Sequence, residues 1–127
     1  MKPTLEASTF VVRENCSAQF SGFLCIEDGK TPIPSGTLTS LTARLTDYAT
    51  GQIINGRDSQ SVLNSNGGAI DGTTGKFVWT MAPADNPIVG NVSDGEYETH
   101  ELLFVWTWSS GTKRGARRYF IRVQRIA

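Results

Sequence analysis

Residues 100–126 decide the fold, and they read HELLFVWTWSSGTKRGARRYFIRVQRI. A period of two places every second side chain on one face of a β-strand. A second run with this period, 117–126, follows the turn residues Ser109-Ser110-Gly111. The sequence therefore predicts a terminal β-hairpin between strands 102–108 and 117–126. One face of the first strand carries His100, Leu102, Phe104, Trp106 and Trp108.

The same period of two continues towards the N-terminus, where turn signals interrupt it. Apolar side chains alternate with polar ones at 18–21 and 41–46, and at 77–81 the large side chains Phe77, Trp79 and Met81 bracket Val78 and Thr80. Short strands separated by turns at this spacing are typical of a two-sheet β-sandwich, so we predict an all-β domain of about seven antiparallel strands. The dipeptides that favour tight turns between them include Asp28-Gly29, Asn55-Gly56, Asn66-Gly67, Asp71-Gly72 and Asp94-Gly95.

Length and composition bound the class of protein. The 127 residues suit one domain, which we place at 9–127, after a polar, unpatterned N-terminal arm at 1–8. Twelve basic and twelve acidic side chains balance, so the net charge attracts neither nucleic acid nor an anionic membrane. No apolar run approaches the roughly 18 residues of a membrane span. We expect no nucleic acid or membrane partner, and 1–6 shows no signal peptide.

Residue types that carry catalysis or bind metals are scarce. His100 is the only histidine, and as a general base it would need Glu98 or Glu101 to orient its ring. The sequence contains no nucleophile motif such as Gly-x-Ser-x-Gly. Cys16 and Cys25 with one histidine cannot supply the four ligands of a structural zinc site. We therefore predict no enzymatic activity, no catalytic residue, no metal and no cofactor.

The two cysteines are expected to be buried and reduced. An extended strand would hold Cys16 and Cys25 roughly 30 Å apart, which is too far for a disulfide. Only a hairpin that folds near Phe20-Ser21 would bring the two sulfur atoms together, and that turn lacks the residues that two-residue hairpins favour.

Two segments, 51–74 and 82–94, lack a regular pattern. Loops of this length in compact domains are often functional, so either segment is a candidate contact surface. The alternative is an ordinary crossover between sheets. Metal-dependent hydrolysis by Asp85, Asp94 and Glu96 also stays open, although carboxylates in loops are usually solvated.

Asp94-Gly95-Glu96-Tyr97 stands shortly before the first strand of the terminal hairpin. This motif resembles the tyrosine corner of immunoglobulin-like domains. The resemblance implies that the Tyr97 hydroxyl returns to a nearby backbone group, and that Asp94 and Gly95 form the corner. It also implies that the hairpin comprises strands F and G of an immunoglobulin-like β-sandwich. The chain has no cysteine pair of the antibody kind, so the resemblance is to the disulfide-free members.

A wider resemblance covers most of the chain. Its segments are FSGFL (20–24), DGKTPIP (28–34), LTARLTDYATG (41–51), IINGR (53–57), VLN (62–64), NGG (66–68), WTMAPADN (79–86) and ETHE (98–101). They are similar to small immunoglobulin-like virion proteins of tailed bacteriophages, which decorate capsids or build tails and baseplates. The resemblance implies a non-enzymatic structural protein of the virion, assembled in the host cytoplasm and bound to other virion proteins. We expect a capsid decoration protein ahead of a tail or baseplate component, and a homo-oligomer stays open.

Basic residues are concentrated in the terminal hairpin. Arg114, Arg117, Arg118 and Arg122 form a candidate docking strip for an acidic protein surface such as a capsid, because arginine is favoured at interfaces. The alternative is cross-strand pairing with the acidic residues that precede the hairpin, where each exposed pair is worth a fraction of a kcal/mol.

The three tryptophans have two interpretations. The alternation of Trp106 and Trp108 with Phe104 on one strand face favours packing in the core, and Trp79 has a similar pattern. Trp108, at the end of its strand, is the best candidate for exposure. An exposed indole would stack on a sugar ring, so a surface glycan is an alternative partner in a carbohydrate-binding or adhesin module.

Overall fold

The structure, a computed structural model, describes residues 8–33, 35–71 and 74–126. The chain is an all-β sandwich of two sheets, as the sequence predicts. None of the helices in this described part is long and apolar enough to cross a membrane. The elements are β1 (Ser8–Arg13), β2 (Ala18–Phe23), a 3₁₀ helix (Ser35–Thr37), β3 (Leu38–Asp47), β4 (Gln60–Ser61), β5 (Gly68–Ile70), β6 (Lys76–Met81), a 3₁₀ helix (Pro83–Asp85), β7 (Tyr97–Trp108) and β8 (Lys113–Gln124).

The two sheets differ in size. The larger has the strand order β1-β8-β7-β3-β4 and the smaller the order β2-β6-β5. All paired strands run antiparallel except β1 and β8, which are parallel. The prediction of antiparallel strands alone is wrong for this pair, because a period of two reports which side chains share a face and not the direction of the neighbouring strand. Ser8 begins β1; the rest of the predicted arm, 1–7, lies outside the described residues, as does Gly72 of one predicted turn.

The predicted terminal hairpin is confirmed, with longer strands than the sequence indicates. Trp108 at the end of β7 pairs with Lys113 at the start of β8, and the ladder continues to Tyr97 and Gln124. The turn uses three consecutive residues with positive φ, Ser109 (57°), Ser110 (59°) and Gly111 (83°). Left-handed backbone in a hairpin turn matches the twist of the two strands.

Aromatic side chains form the core between the sheets. Phe104 of β7 is 1% exposed, and Phe77 and Trp79 of β6 meet it edge-on with ring centroids 5.3 and 5.7 Å away. The ring centroid of Phe20 in β2 lies 5.2 Å from that of Phe104 and 4.6 Å from that of Tyr119 in β8. Burying each such side chain contributes about 1.5–3 kcal/mol. The aromatic cluster therefore fixes how the two sheets face each other.

The two long sides of the sandwich are built differently. On one side the chain passes from β4 in the larger sheet to β5 in the smaller, and a Cβ at Gly68 would overlap the Val62 backbone. On the other side β1 and β2 are the outer strands of their sheets, and the rings of Phe10 and Phe20 meet 5.4 Å apart. We call the first, around 57–70, the closed side, and the second, along β1, β2 and the outer edge of β8, the open side.

Candidate functional site

A pocket of about 440 Å³ lies on the open side, where β8 begins. Its wall consists of the end of β7, the start of β8 and the chain after β2. Gly115 allows the indole of Trp106 to pack against β8, because a Cβ at this position would lie 2.6 Å from the Trp106 ring. We call this cavity the hairpin pocket. Its lining includes Phe23, Cys25, Glu27, Trp106, Trp108, Arg114 and Arg117.

Trp108 contributes to the wall of the hairpin pocket but is largely covered. Its side chain is 6% exposed, as is that of Trp106, so the packing in the core that the alternation favours is confirmed, and the alternative of an exposed Trp108 is wrong. The chain that follows β2 lines the same pocket, and its Cys25 carbonyl accepts a hydrogen bond of 3.3 Å from the Trp106 indole N–H. The segment after β2 therefore covers Trp106 and Trp108 at the end of β7. The position of Trp108 within its own strand did not indicate this cover.

Arg114 and Arg117 give the hairpin pocket a positive charge. Arg114 is exposed, and the guanidinium of the half-buried Arg117 lies 5.4 Å from the centre of the Tyr119 ring. Within the described ranges neither has a carboxylate at ion-pair distance. Lys113 and Glu27 neutralise each other at 2.7 Å. The two arginines are therefore available to an anionic group from outside the domain.

Both cysteines are free thiols, as predicted. Cys25 is half-buried in the hairpin pocket, but Cys16 is exposed, so the prediction of burial is wrong for Cys16. Burial raises the pKa of the Cys25 thiol, the Asp28 carboxylate raises it further, and Arg117 lowers it in part. The raised pKa favours the thiol form, which is a poor nucleophile.

Arg114, Arg118 and Arg122 share one face of β8 and Arg117 lies on the other, because alternate residues of a strand point to opposite faces. Arg118 forms an ion pair of 2.9 Å with Glu101, and the Arg122 guanidinium lies 4.2 Å from the centre of the Tyr97 ring. The four arginines therefore do not form one docking strip. The cross-strand pairing that the sequence offered as the alternative occurs for Arg118.

The predicted tyrosine corner is not formed. Tyr97 is 39% exposed, and its hydroxyl has no hydrogen-bond partner among the described residues. Asp94 and Gly95 do form a turn: Gly95 has a φ of 82°, and its N–H donates to the Arg125 carbonyl over 2.7 Å. Within β7 the even-numbered side chains face the core and the odd-numbered ones face outwards. Tyr97 therefore follows the outward set, and Glu98 takes the inward position beside it.

Glu98 and His100 form a buried pair. The sequence predicts that they share one face of the strand, but it does not indicate that Asp47 lies beside them. The Glu98 Oε2 and the His100 Nε2 are 2.5 Å apart. Asp47, opposite His100 in the sheet, brings a carboxylate oxygen within 4.8 Å of both. Such a donor set fits a divalent cation. Each Glu98 oxygen, however, already accepts a backbone N–H, from Val89 at 2.9 Å and from Gly90 at 2.6 Å.

These bonds explain the position of the segment 82–94. They fasten Val89 and Gly90 to the first residues of β7, so this part of the segment is an anchored crossover between the sheets. His100 itself is fully buried, with no partner for its Nδ1 among the described residues. A substrate could not reach the ring without opening the sandwich.

A second buried polar network lies on the closed side. Arg57 donates two hydrogen bonds of 2.9 Å to the Asp85 carboxylate, and Asn55 donates a third of 2.9 Å. Burial disfavours the charged form of Asp85, but the hydrogen bonds from Arg57, Asn55 and Ala82 outweigh it, so the pKa of Asp85 is lowered. The Arg57 guanidinium also lies 5.2 Å from the centre of the Trp79 ring.

The carboxylates considered for metal-dependent hydrolysis are not brought together. Asp85 pairs with Arg57, and Asp94 forms an ion pair of 3.2 Å with Arg125. Asp85, Asp94 and Glu96 do not form a potential metal-binding group among the described residues. This alternative is therefore not supported.

No protein-family model matches the chain, and no curated protein matches it. Any assignment of function therefore depends on the residues and their geometry. The hairpin pocket is the candidate site, since it contains Trp108, Arg114 and Arg117 of the five interaction residues that the sequence nominates.

Proposed function

We propose that this protein is a non-enzymatic structural component of a tailed-phage virion, a capsid decoration protein that docks on other virion proteins through the hairpin pocket. The observation that carries the docking role is the pair Arg114 and Arg117. Both line the pocket, and neither has a carboxylate partner among the described residues. Arginine beside tryptophan is the composition that protein interfaces favour.

The strand order supports an immunoglobulin-like frame for this role. The neighbours β3-β7-β8 and β2-β6-β5 follow the orders C-F-G and B-E-D of an immunoglobulin sandwich. Such a frame holds loops and edges rigidly, which suits a protein that attaches to a lattice. The phage assignment comes from the resemblance of the segments quoted above.

A non-enzymatic role agrees with the positions of the reactive residues. The imidazole of His100 is enclosed and bound to Glu98, and the raised pKa of Cys25 favours its thiol form. Neither group offers an activated nucleophile or base to a substrate in solution.

Sedimentation with purified tailed-phage particles prepared without this protein tests the proposal. We expect the wild type to co-sediment with capsids, and the double variant Arg114→Glu/Arg117→Glu to bind roughly tenfold more weakly or worse. The matched control is Arg118→Glu/Arg122→Glu, which reverses the same number of charges on β8 at residues that do not line the hairpin pocket. Equal binding by all three proteins would refute docking through the pocket.

Two alternatives are separated by the same kind of measurement. Binding to isolated tails or baseplates, with none to capsids, would place the protein in the tail. A glycan is the other candidate ligand, because Trp106 and Trp108 line the pocket. Their small exposed area leaves little indole surface for stacking on a sugar ring. Binding on a glycan array that Arg114→Glu/Arg117→Glu abolishes would favour the glycan.

A further inference from the structure

We infer that the docking partner contributes an extended acidic segment, which adds as a β-strand to the outer edge of β8 at 113–118, unpaired among the described residues, and places alternate side chains in the hairpin pocket. This inference rests on the proposed docking function and names the chemistry of the partner.

Among the described residues, the first half of β8 has no strand partner on its outer edge. β7 pairs with β8 along its entire length, from Lys113 to Gln124. On the other edge β1 pairs only with Tyr119–Gln124. No strand in the described part of the chain pairs with the outer edge of 113–118. Unpaired N–H and C=O groups on such an edge are a template for an added strand.

A groove runs beside this open edge. The outer strand of the smaller sheet, β2, lies across from it, and the ring centroids of Phe20 and Tyr119 are 4.6 Å apart. Along the same side the hairpin pocket is followed by a second cavity of about 360 Å³. A small cavity between them shares Arg117 with the hairpin pocket and Phe20 with the second cavity. The hairpin pocket lies beside the edge at 113–118, and the second cavity lies further along the same side, beside β1.

The charge of the groove selects an acidic segment. Arg114 and Arg117 have no carboxylate partner within the described ranges, whereas Lys113 and Glu27 are paired. An added strand of about six residues would span roughly 20 Å, the length of the edge at 113–118. Its side chains on one face would recur at roughly 7 Å, so that apolar residues could enter the hairpin pocket, while acidic residues on the other face would lie beside Arg114.

Three labelled eight-residue peptides test the inference by fluorescence anisotropy with the full chain. One alternates leucine and glutamate, the second alternates leucine and lysine, and the third is the first peptide with every backbone nitrogen methylated. We expect the leucine–glutamate peptide to bind, the lysine peptide to bind at least about tenfold more weakly, and N-methylation to abolish binding, since it removes the donors of the strand. Arg114→Glu/Arg117→Glu should lose the leucine–glutamate peptide, and Arg118→Glu/Arg122→Glu should keep it.

Several results would overturn the inference. One is equal affinity for the glutamate and lysine peptides, and another is full binding of the N-methylated peptide. Binding that occurs only after residues 1–7 are deleted would make that segment of the chain the occupant instead of a partner. If Arg114→Glu/Arg117→Glu fails to bind particles but no peptide binds the wild type, strand addition is refuted while docking stands. If the wild type binds neither particles nor peptides, both proposals fail.

Discussion

Two arginines on the two sides of the sandwich lie in similar positions but have different partners. The guanidinium of Arg57 lies 5.2 Å from the centre of the Trp79 ring on the closed side, and that of Arg117 lies 5.4 Å from the centre of the Tyr119 ring on the open side. Arg57 is 8% exposed and bound to Asp85, whereas Arg117 is half-buried and has no carboxylate partner among the described residues.

The difference separates charges that stabilise the fold from charges that are left for a partner. A buried ion that loses its partner destabilises the protein strongly. A half-exposed ion is solvated and costs little when it is unpaired. We therefore expect changes on the closed side to reduce stability and changes on the open side to reduce binding.

Asp85→Ala should have the largest effect on stability. It leaves the Arg57 guanidinium buried without its carboxylate, and we expect the free energy of unfolding to fall by about 3–5 kcal/mol. Urea unfolding followed by circular dichroism measures the change. Asp58→Ala is the matched control, because the Asp58 carboxylate is 65% exposed in its pair with Arg44. A loss of equal size in both variants would contradict the contrast between the two sides.

Glu98→Gln should have the next largest effect. The neutral side chain keeps one oxygen acceptor for the two backbone N–H groups of Val89 and Gly90, so at least one group loses its partner. We expect a loss of about 1–3 kcal/mol in the free energy of unfolding, together with faster proteolysis in 82–94. Glu101→Gln, which removes a pair with the exposed Arg118, serves as the control. An unchanged cleavage pattern would show that Glu98 does not anchor this segment.

Gly115→Ala tests the packing of Trp106 on the open side. The added Cβ would lie 2.6 Å from the Trp106 ring, so the indole must move. Overpacking of this kind costs about 1–3 kcal/mol, and the tryptophan emission should shift as the hairpin pocket rearranges. At Gly36 a Cβ meets nothing within 4 Å, so Gly36→Ala should leave both readouts unchanged. Matching behaviour of the two variants would refute the close packing of Trp106 on β8.

The closed side should also carry a pH dependence that the variant Asp85→Asn lacks. The pKa of Asp85 in the folded protein lies below its ordinary value of 3.8. The ion pair therefore contributes its full stability above that value and loses it as the pH falls through the lowered pKa. The difference in free energy of unfolding between wild type and Asp85→Asn should shrink from pH 7 to pH 2. A difference that stays constant over this range would contradict the assignment.

The sequence predicted the sandwich and the terminal hairpin because these depend on local periodicity. The alternation that identified the hairpin also fixed the side of each residue along β7. Extended back from Leu102, it places Tyr97 outwards, and extended forward it places Trp108 inwards. Tyr97 was misassigned because a short motif was given more weight than the phase of the strand, whereas for Trp108 the phase favoured the core position that the structure shows.

The polar networks could not be predicted in the same way. Asp47 meets His100 only through the register of β3 against β7, and Asp85 meets Arg57 through the connection of two irregular segments. Nothing in the local pattern of either segment specifies these pairs. The number of arginines in the terminal hairpin was visible in the sequence. The division of these arginines between the two faces of β8 follows from the period of two.

Arg117→Gln offers the most direct test of the central claim that the unpaired charge of the open side serves a partner. Its affinity for purified particles and its free energy of unfolding should be measured on the same preparation. We predict roughly tenfold weaker binding with a change in the free energy of unfolding of less than about 1 kcal/mol. Full binding together with a large loss of stability would show that Arg117, like Arg57, serves the fold, and would contradict the account.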